Sequence, residues 1–137
     1  MARTFLILGA VFGLLGVVFG AFGSHALRSK LTPERAGTFE TGVRYQLWHA
    51  LALFAVAFVS GLRFPSSGPV RYLMIEDSGR WPAWTAGWLF VAGVVLFSGS
   101  LYVLSLTGKR SWGAVTPLGG IFLVLGWAFL LFAIVVA

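Results

Sequence analysis

Cysteine is absent from this 137-residue chain, and acidic residues are scarce. Without cysteine the chain has no disulfide, no thiolate metal ligand and no cysteine nucleophile. Only four residues are Asp or Glu, and charged residues make up 10% of the chain, whereas soluble domains carry about 25%. This composition excludes an ordinary water-soluble domain.

Long apolar runs dominate what remains, since hydrophobic residues make up 58% of the sequence. Four runs are long enough to cross a bilayer as helices, and none has a charged residue in its middle. They are residues 4–23, 45–62, 83–106 and 114–137. We therefore expect a single membrane domain over residues 1–137 with an all-α fold, an integral membrane four-helix bundle.

The first run has an alternative interpretation as a cleaved signal peptide. Arg3 provides a short basic region, and residues 24–26 resemble a small-x-small cleavage site. The apolar stretch is longer than the usual signal-peptide core of about 7–15 residues. We expect the segment to be retained as the first membrane helix.

Glycines recur through the first span at spacings of 4, 3, 4 and 3. At about 100° per residue they share one narrow face of a helix. In a bilayer, small residues on one face let neighbouring helix backbones approach closely. The row predicts a helix-packing face made of Gly9, Gly13, Gly16, Gly20 and Gly23.

Residues 24–44 predict a short interfacial helix between spans 1 and 2. Thr32 suits an N-cap and Pro33 the first helical position, and apolar residues then recur at helical spacing. Gly42 is the expected bend into the second span, and a flexible loop is the alternative. Residues 63–81, which are rich in Pro, Ser and Gly, predict an exposed connection.

The net charge of +6 indicates anchoring at lipid headgroups rather than nucleic-acid binding. Six basic residues lie in the first and third loops, and four lie on the side of the termini and the second loop. The positive-inside rule then predicts cytoplasmic first and third loops. We expect membrane lipids as partners, with a homo-oligomer or another membrane protein as a further partner.

The two histidines, His25 and His49, fall on the same side of the membrane by this topology. They could ligate haem or a metal ion, with Glu40 as the nearest additional ligand. On a straight helix, however, Glu40 and His49 point in opposite directions. We therefore expect each imidazole to hydrogen-bond a neighbouring group, and we predict no cofactor and no metal.

Glu40 and Arg44 form an i, i+4 pair, and Trp48 continues their helix face. We expect the pair to form a structural salt bridge at the membrane interface. Alternatively, Arg44 could bind a lipid phosphate together with Arg28 and Lys30.

No set of side chains predicts catalysis. The hydroxyls of spans 3 and 4 lack an adjacent base, and the midplane lacks the ionisable groups that proton-coupled transport needs. We expect a non-enzymatic interaction or accessory protein. A small oligomeric transporter or channel is the alternative, and a redox protein that uses His25 and His49 is the second alternative.

Four motifs occur in order along the chain, at residues 20–27, 43–53, 96–102 and 116–120. In these motifs the chain resembles the small membrane-protein family known as domain of unknown function 423, which includes YgdD-like bacterial proteins and the eukaryotic transmembrane protein 256. The resemblance implies a small multi-spanning protein of the bacterial inner membrane without an established biochemical role. It marks as motif positions Gly23, His25, Arg44, Tyr45, Gln46, His49, Ser98, Gly99, Ser100, Tyr102, Thr116, Pro117 and Gly120.

Most of these polar positions fall on the side of the first and third loops. We expect a polar cluster at this membrane face that fastens the two helical hairpins together and binds a lipid headgroup. Its candidate members are His25, Arg28, Arg44, Tyr45, Gln46, His49, Tyr102 and Thr116.

Overall fold

The computed structural model describes residues 1–27, 29–61 and 77–136, and four α-helices lie in this part of the chain. The helices are α1 (Ala2–Phe22), α2 (Pro33–Gly61), α3 (Asp77–Thr107) and α4 (Thr116–Val135). Four helical segments are long and apolar enough to cross a membrane: Ala2–Leu27, Pro33–Gly61, Trp81–Thr107 and Arg110–Val135. The prediction of an all-α, four-helix membrane bundle is confirmed.

On one side of the bundle, a short helical turn follows α1 and another precedes α4. A π-helical turn, Gly23–Leu27, extends α1, and its Leu27 packs into a small apolar cluster with Phe39 and Val43 of α2. A 3-10 turn, Arg110–Ala114, leads into α4. Before it, Gly108 adopts a φ of 72°, a conformation in the left-handed region that glycine adopts without a steric penalty.

Helix α2 corrects the prediction of a separate interfacial helix. It begins where expected, with Pro33 as its first residue and with the Arg35 N–H donating to the Thr32 hydroxyl at 3.4 Å. It then runs unbroken to Gly61, without a bend at Gly42. A Cβ built on Gly42 would lie 2.8 Å from Cε1 of Tyr102, so this glycine makes room for a ring from α3.

The helices pack in chain order, because α2 lies against both α1 and α3, and α4 lies against α3. Phe5, Leu53, Phe90 and Leu123, one from each helix, belong to the same buried core. Between α2 and α4 the contact is slight. One side of α2 is therefore packed against α1, whereas the side towards α4 is loosely packed.

The predicted connection over residues 63–81 lies mostly outside the described residues. Where the description resumes with side chains, Trp81 and Trp88 are exposed on α3. Tryptophan at this position in a membrane helix is typical of the bilayer interface.

Candidate functional site

The glycine row of α1 faces α2. A Cβ built on Gly16 would lie 2.6 Å from Cδ2 of Leu47, closer than such atoms approach in proteins, whereas one on Gly13 would meet nothing within 4 Å. The remaining three would also contact α2 side chains or backbone: Gly9, Gly20 and Gly23. Four of the five glycines therefore lie where α1 and α2 are closest.

Because Gly16 has no side chain, the backbone carbonyl of Phe12 is accessible to a side chain of α2. The Gln46 amide donates from Nε2 to the Phe12 carbonyl at 2.8 Å, and the Tyr102 hydroxyl donates to Gln46 Oε1 at 2.9 Å. A Cβ on Gly16 would lie 3.6 Å from Gln46 Nε2, so a larger residue would crowd this amide. We call the Phe12 carbonyl, Gln46 and Tyr102 the three-helix staple, because they join α1, α2 and α3.

His49 joins α2 to α4. Its Nδ1 lies 2.7 Å from the Tyr45 carbonyl, which can only accept, so Nδ1 carries the proton. The unprotonated Nε2 then accepts from the indole N–H of Trp127 at 3.3 Å. The imidazole is thus neutral and is held at both nitrogens. Its contact with Trp127 is a hydrogen bond to a neighbouring helix, as the sequence led us to expect.

Two further hydrogen bonds tie the helix ends on the side of the first and third loops. The Ser100 hydroxyl donates to the Phe97 carbonyl at 2.9 Å, so the Thr116 hydroxyl is the donor in its 2.8 Å contact with Ser100. Arg35 donates from Nε to the Ser105 carbonyl at 2.6 Å, in the last turn of α3. A cation at this helix end is electrostatically favourable.

An open crevice of about 600 Å³ lies between α2 and α4, with α3 as its floor. Aromatic side chains of α2 and α3 line one part of it, and residues of the N-terminal half and the middle of α4 line the other. From Pro117 to Trp127 the crevice follows α4 for about 15 Å, roughly half of a bilayer's hydrocarbon core. Its lining residues are Tyr45, Trp48, His49, Phe97, Pro117, Gly120, Ile121, Leu123, Val124, Leu125 and Trp127.

Arg44 lies at the loop end of this crevice, one helical turn from Trp48. Its guanidinium binds the Glu40 carboxylate at 2.8 Å through Nη2, and the two side chains are 54% and 70% exposed. The predicted Glu40–Arg44 pair is confirmed. Among the described residues this is the guanidinium's one hydrogen bond.

The polar residues predicted as one cluster are divided among several places. Gln46 and Tyr102 are in the three-helix staple, Tyr45 and His49 are at the crevice, and Thr116 is bound to Ser100. Arg44 is exposed beside the crevice, and His25 is exposed on the π-helical turn. Arg28 lies outside the described residues.

The absence of a metal at His25 and His49 stays a prediction. Over residues 1–27, 29–61 and 77–136, no group of three His, Asp or Glu side chains is arranged to hold a metal ion. His49 is buried at the crevice, whereas His25 is exposed.

Sequence reasoning missed Phe97 and Trp127 as residues of the site, and it considered Trp48 only as a partner of Arg44. Trp127 carries a signal that could have identified it. Tryptophan is enriched at the two membrane interfaces, and Trp127 is in the middle of an apolar span. A mid-span indole N–H needs an acceptor, and His49 provides it.

Comparison with known proteins agrees with this architecture. Residues 19–120 match the family described as protein of unknown function, DUF423. The chain is 43% identical over 133 residues to the UPF0382 membrane protein YwdK of Bacillus subtilis, covering 97% of each chain. It is 36% identical over 130 residues to the UPF0382 inner membrane protein YgdD of Escherichia coli, covering 95% of this chain and 88% of YgdD.

No solved structure matches the chain. The names of the relatives and the four spanning helices confirm the predicted integral membrane location. The chain belongs to the DUF423 family of membrane proteins, whose function is unknown.

Proposed function

We propose that the protein is a non-enzymatic accessory protein of the membrane that binds one phospholipid, with the phosphate on Arg44 and an acyl chain in the crevice between α2 and α4. The observation that carries this proposal is the position of the apolar crevice, whose lining residues Tyr45 and Trp48 lie within one helical turn of the exposed guanidinium of Arg44.

The phosphate half of the proposal is supported by the chemistry of Arg44. A guanidinium presents a planar fork of N–H donors that matches phosphate oxygens. Its exposed ion pair with Glu40 contributes only about 0–1 kcal/mol, so a phosphate can share or replace it. The first and third loops with their helix ends carry six basic residues and two acidic ones, which also favours a phosphate here.

The chain half is supported by the shape and chemistry of the crevice. Its volume of about 600 Å³ lies within the range of about 300–1,000 Å³ typical of ligand pockets. Lipid tails are as apolar as the crevice walls, so the hydrophobic effect does not retain a chain there. Retention then depends on close packing against rigid aromatic walls and on the phosphate at Arg44.

The accessory role is supported by the hydrogen bonds of His49 and of three hydroxyl groups on α3. A serine nucleophile needs an adjacent base, and the Nε2 of His49 already accepts from Trp127. The described hydroxyls of Ser100, Ser105 and Thr107 donate to backbone carbonyls of their own helix.

Native mass spectrometry of the protein purified in mild detergent tests the phosphate half. Dilution removes loosely bound annular lipid, and we expect one phospholipid to remain on each wild-type chain. Arg44→Gln should lower the retained fraction by about tenfold, since a charge-assisted hydrogen bond contributes about 1.5–3 kcal/mol. Arg110→Gln, which removes an exposed cation from the neighbouring loop, should leave retention unchanged.

A pair of tryptophan substitutions tests the chain half. Val124 lines the crevice and is 69% exposed, so Val124→Trp should fill the space and displace the lipid. Leu131 is on the same helix and is 63% exposed but does not line the crevice, so Leu131→Trp is the matched control. Equal retention by the two variants would contradict the proposal.

A further inference from the structure

Three exposed side chains of different chemistry follow one another along a single face of α2. Glu40, Arg44 and Trp48 are separated by four residues each, and α2 is unbroken through all three. Each step therefore advances about 6 Å along the helix axis and keeps nearly the same direction. The salt bridge between Glu40 and Arg44 shows that the first two side chains are within reach of the same ligand.

The order of these side chains matches the order of groups in one class of lipid. From the membrane interior outward, α2 presents the aromatic wall of the crevice at Trp48, a cation at Arg44 and an anion at Glu40. A phosphoethanolamine lipid presents, in the same direction, acyl chains, an anionic phosphate and a primary ammonium group. An ammonium group offers N–H donors to a carboxylate, as lysine does.

We infer that this face of α2 selects a phospholipid with an ethanolamine headgroup, whose phosphate binds Arg44 and whose ammonium binds Glu40. The inference rests on the proposed phospholipid site and adds the headgroup class. A phosphoglycerol headgroup has no cation of its own for Glu40, so Arg44 is then shared by the carboxylate and the phosphate. A phosphocholine headgroup has a cation but no N–H donor.

A competition measured by native mass spectrometry tests the selection. The purified protein is exchanged into detergent that contains equal amounts of phosphatidylethanolamine and phosphatidylglycerol with identical acyl chains. The wild-type chain should retain mainly phosphatidylethanolamine. Glu40→Gln should lower the ratio of bound ethanolamine lipid to bound glycerol lipid by about tenfold, because it removes a charge-assisted contact and a charge repulsion.

Two further variants make the result specific to Glu40. Glu34→Gln removes the other acidic residue of α2, which is on a different face of the helix, and should leave the ratio unchanged. Glu40→Lys should reverse the preference towards phosphatidylglycerol. Circular dichroism melting of each variant serves to establish that the exposed substitutions leave the fold intact.

The two proposals fail in different ways. If Arg44→Gln loses both lipids while Glu40→Gln keeps the wild-type ratio, the ethanolamine inference is overturned and the phospholipid site stands. If Arg44→Gln retains both lipids, or if the wild-type chain retains neither, the phospholipid site and the headgroup inference fail together.

Discussion

The two sides of helix α2 differ in how closely the next helix approaches. On one side the α1 glycines and the three-helix staple bring α1 and α2 into direct contact. On the other side, aromatic side chains keep α2 and α4 apart and leave the crevice. In a bilayer the hydrophobic effect does not drive helices together, so side-chain size and hydrogen bonds decide where they meet.

The described hydrogen bonds are also shorter on the α1 side of α2 than on the α4 side. The staple has two bonds of 2.8 and 2.9 Å around the buried Gln46. Across the crevice, the part of the chain that the structure describes has one hydrogen bond, the 3.3 Å contact between Trp127 and His49. We infer that the α1–α2 contact is the rigid part of the bundle and that the crevice is the part that can admit a ligand.

Replacing Gly16 with leucine should disrupt the contact between α1 and α2 and should cause the largest loss in the free energy of unfolding. The new side chain would overlap Leu47 and would crowd Gln46 away from the Phe12 carbonyl. Overpacking costs about 1–3 kcal/mol, and the lost hydrogen bond adds about 1 kcal/mol. Unfolding by denaturant titration in detergent, followed by circular dichroism, measures the loss.

Gly13→Leu is the matched control, because a Cβ on Gly13 meets nothing within 4 Å. It should leave the free energy of unfolding nearly unchanged. If Gly16→Leu were as stable as Gly13→Leu, the close contact between α1 and α2 would not be what makes this side rigid.

Replacing Gln46 with leucine should have an intermediate effect, because it removes the centre of the staple and keeps the side chain's approximate size. The half-buried Tyr102 hydroxyl then loses its acceptor, which costs about 1 kcal/mol or more. Tyr102→Phe removes one of the two bonds and should cost about half as much. Melting temperatures of the two single variants and the double variant give the coupling energy, and additive losses would argue against a shared network.

Replacing Trp127 with phenylalanine should have the smallest effect on stability. It removes the long bond to His49, and interhelical hydrogen bonds in membranes average about 0.6 kcal/mol. The ring of phenylalanine is smaller, so the crevice becomes wider. A loss comparable to that of Gln46→Leu in the same melting experiment would show that both sides of α2 are equally rigid.

The sequence was sufficient for features that depend on local chemistry. The length of the apolar runs predicted four spanning helices. Thr32 and Pro33 predicted where α2 begins. The four-residue spacing of Glu40 and Arg44 predicted that they pair. Each of these depends on residues within one continuous segment of the chain.

Features that depend on how helices rotate against one another were not predictable. Gly42 is equally compatible with a bend and with a close helix contact, and only the position of Tyr102 decides for the contact. The partners Trp127 and His49 are 78 residues apart, and nothing in their local sequence indicates that they meet. The crevice, which depends on the gap between α2 and α4, was missed for the same reason.

The most direct test of the lipid site is photo-crosslinking with a phosphatidylethanolamine that carries a diazirine on one acyl chain. The protein is purified in detergent with the single retained lipid, irradiated and analysed by peptide mass spectrometry. The account predicts that the label concentrates at the crevice, on residues 45–49 of α2 and 117–127 of α4. Label spread over the exposed outer face of α1, at Leu14 and Val17, with no excess at the crevice would contradict it.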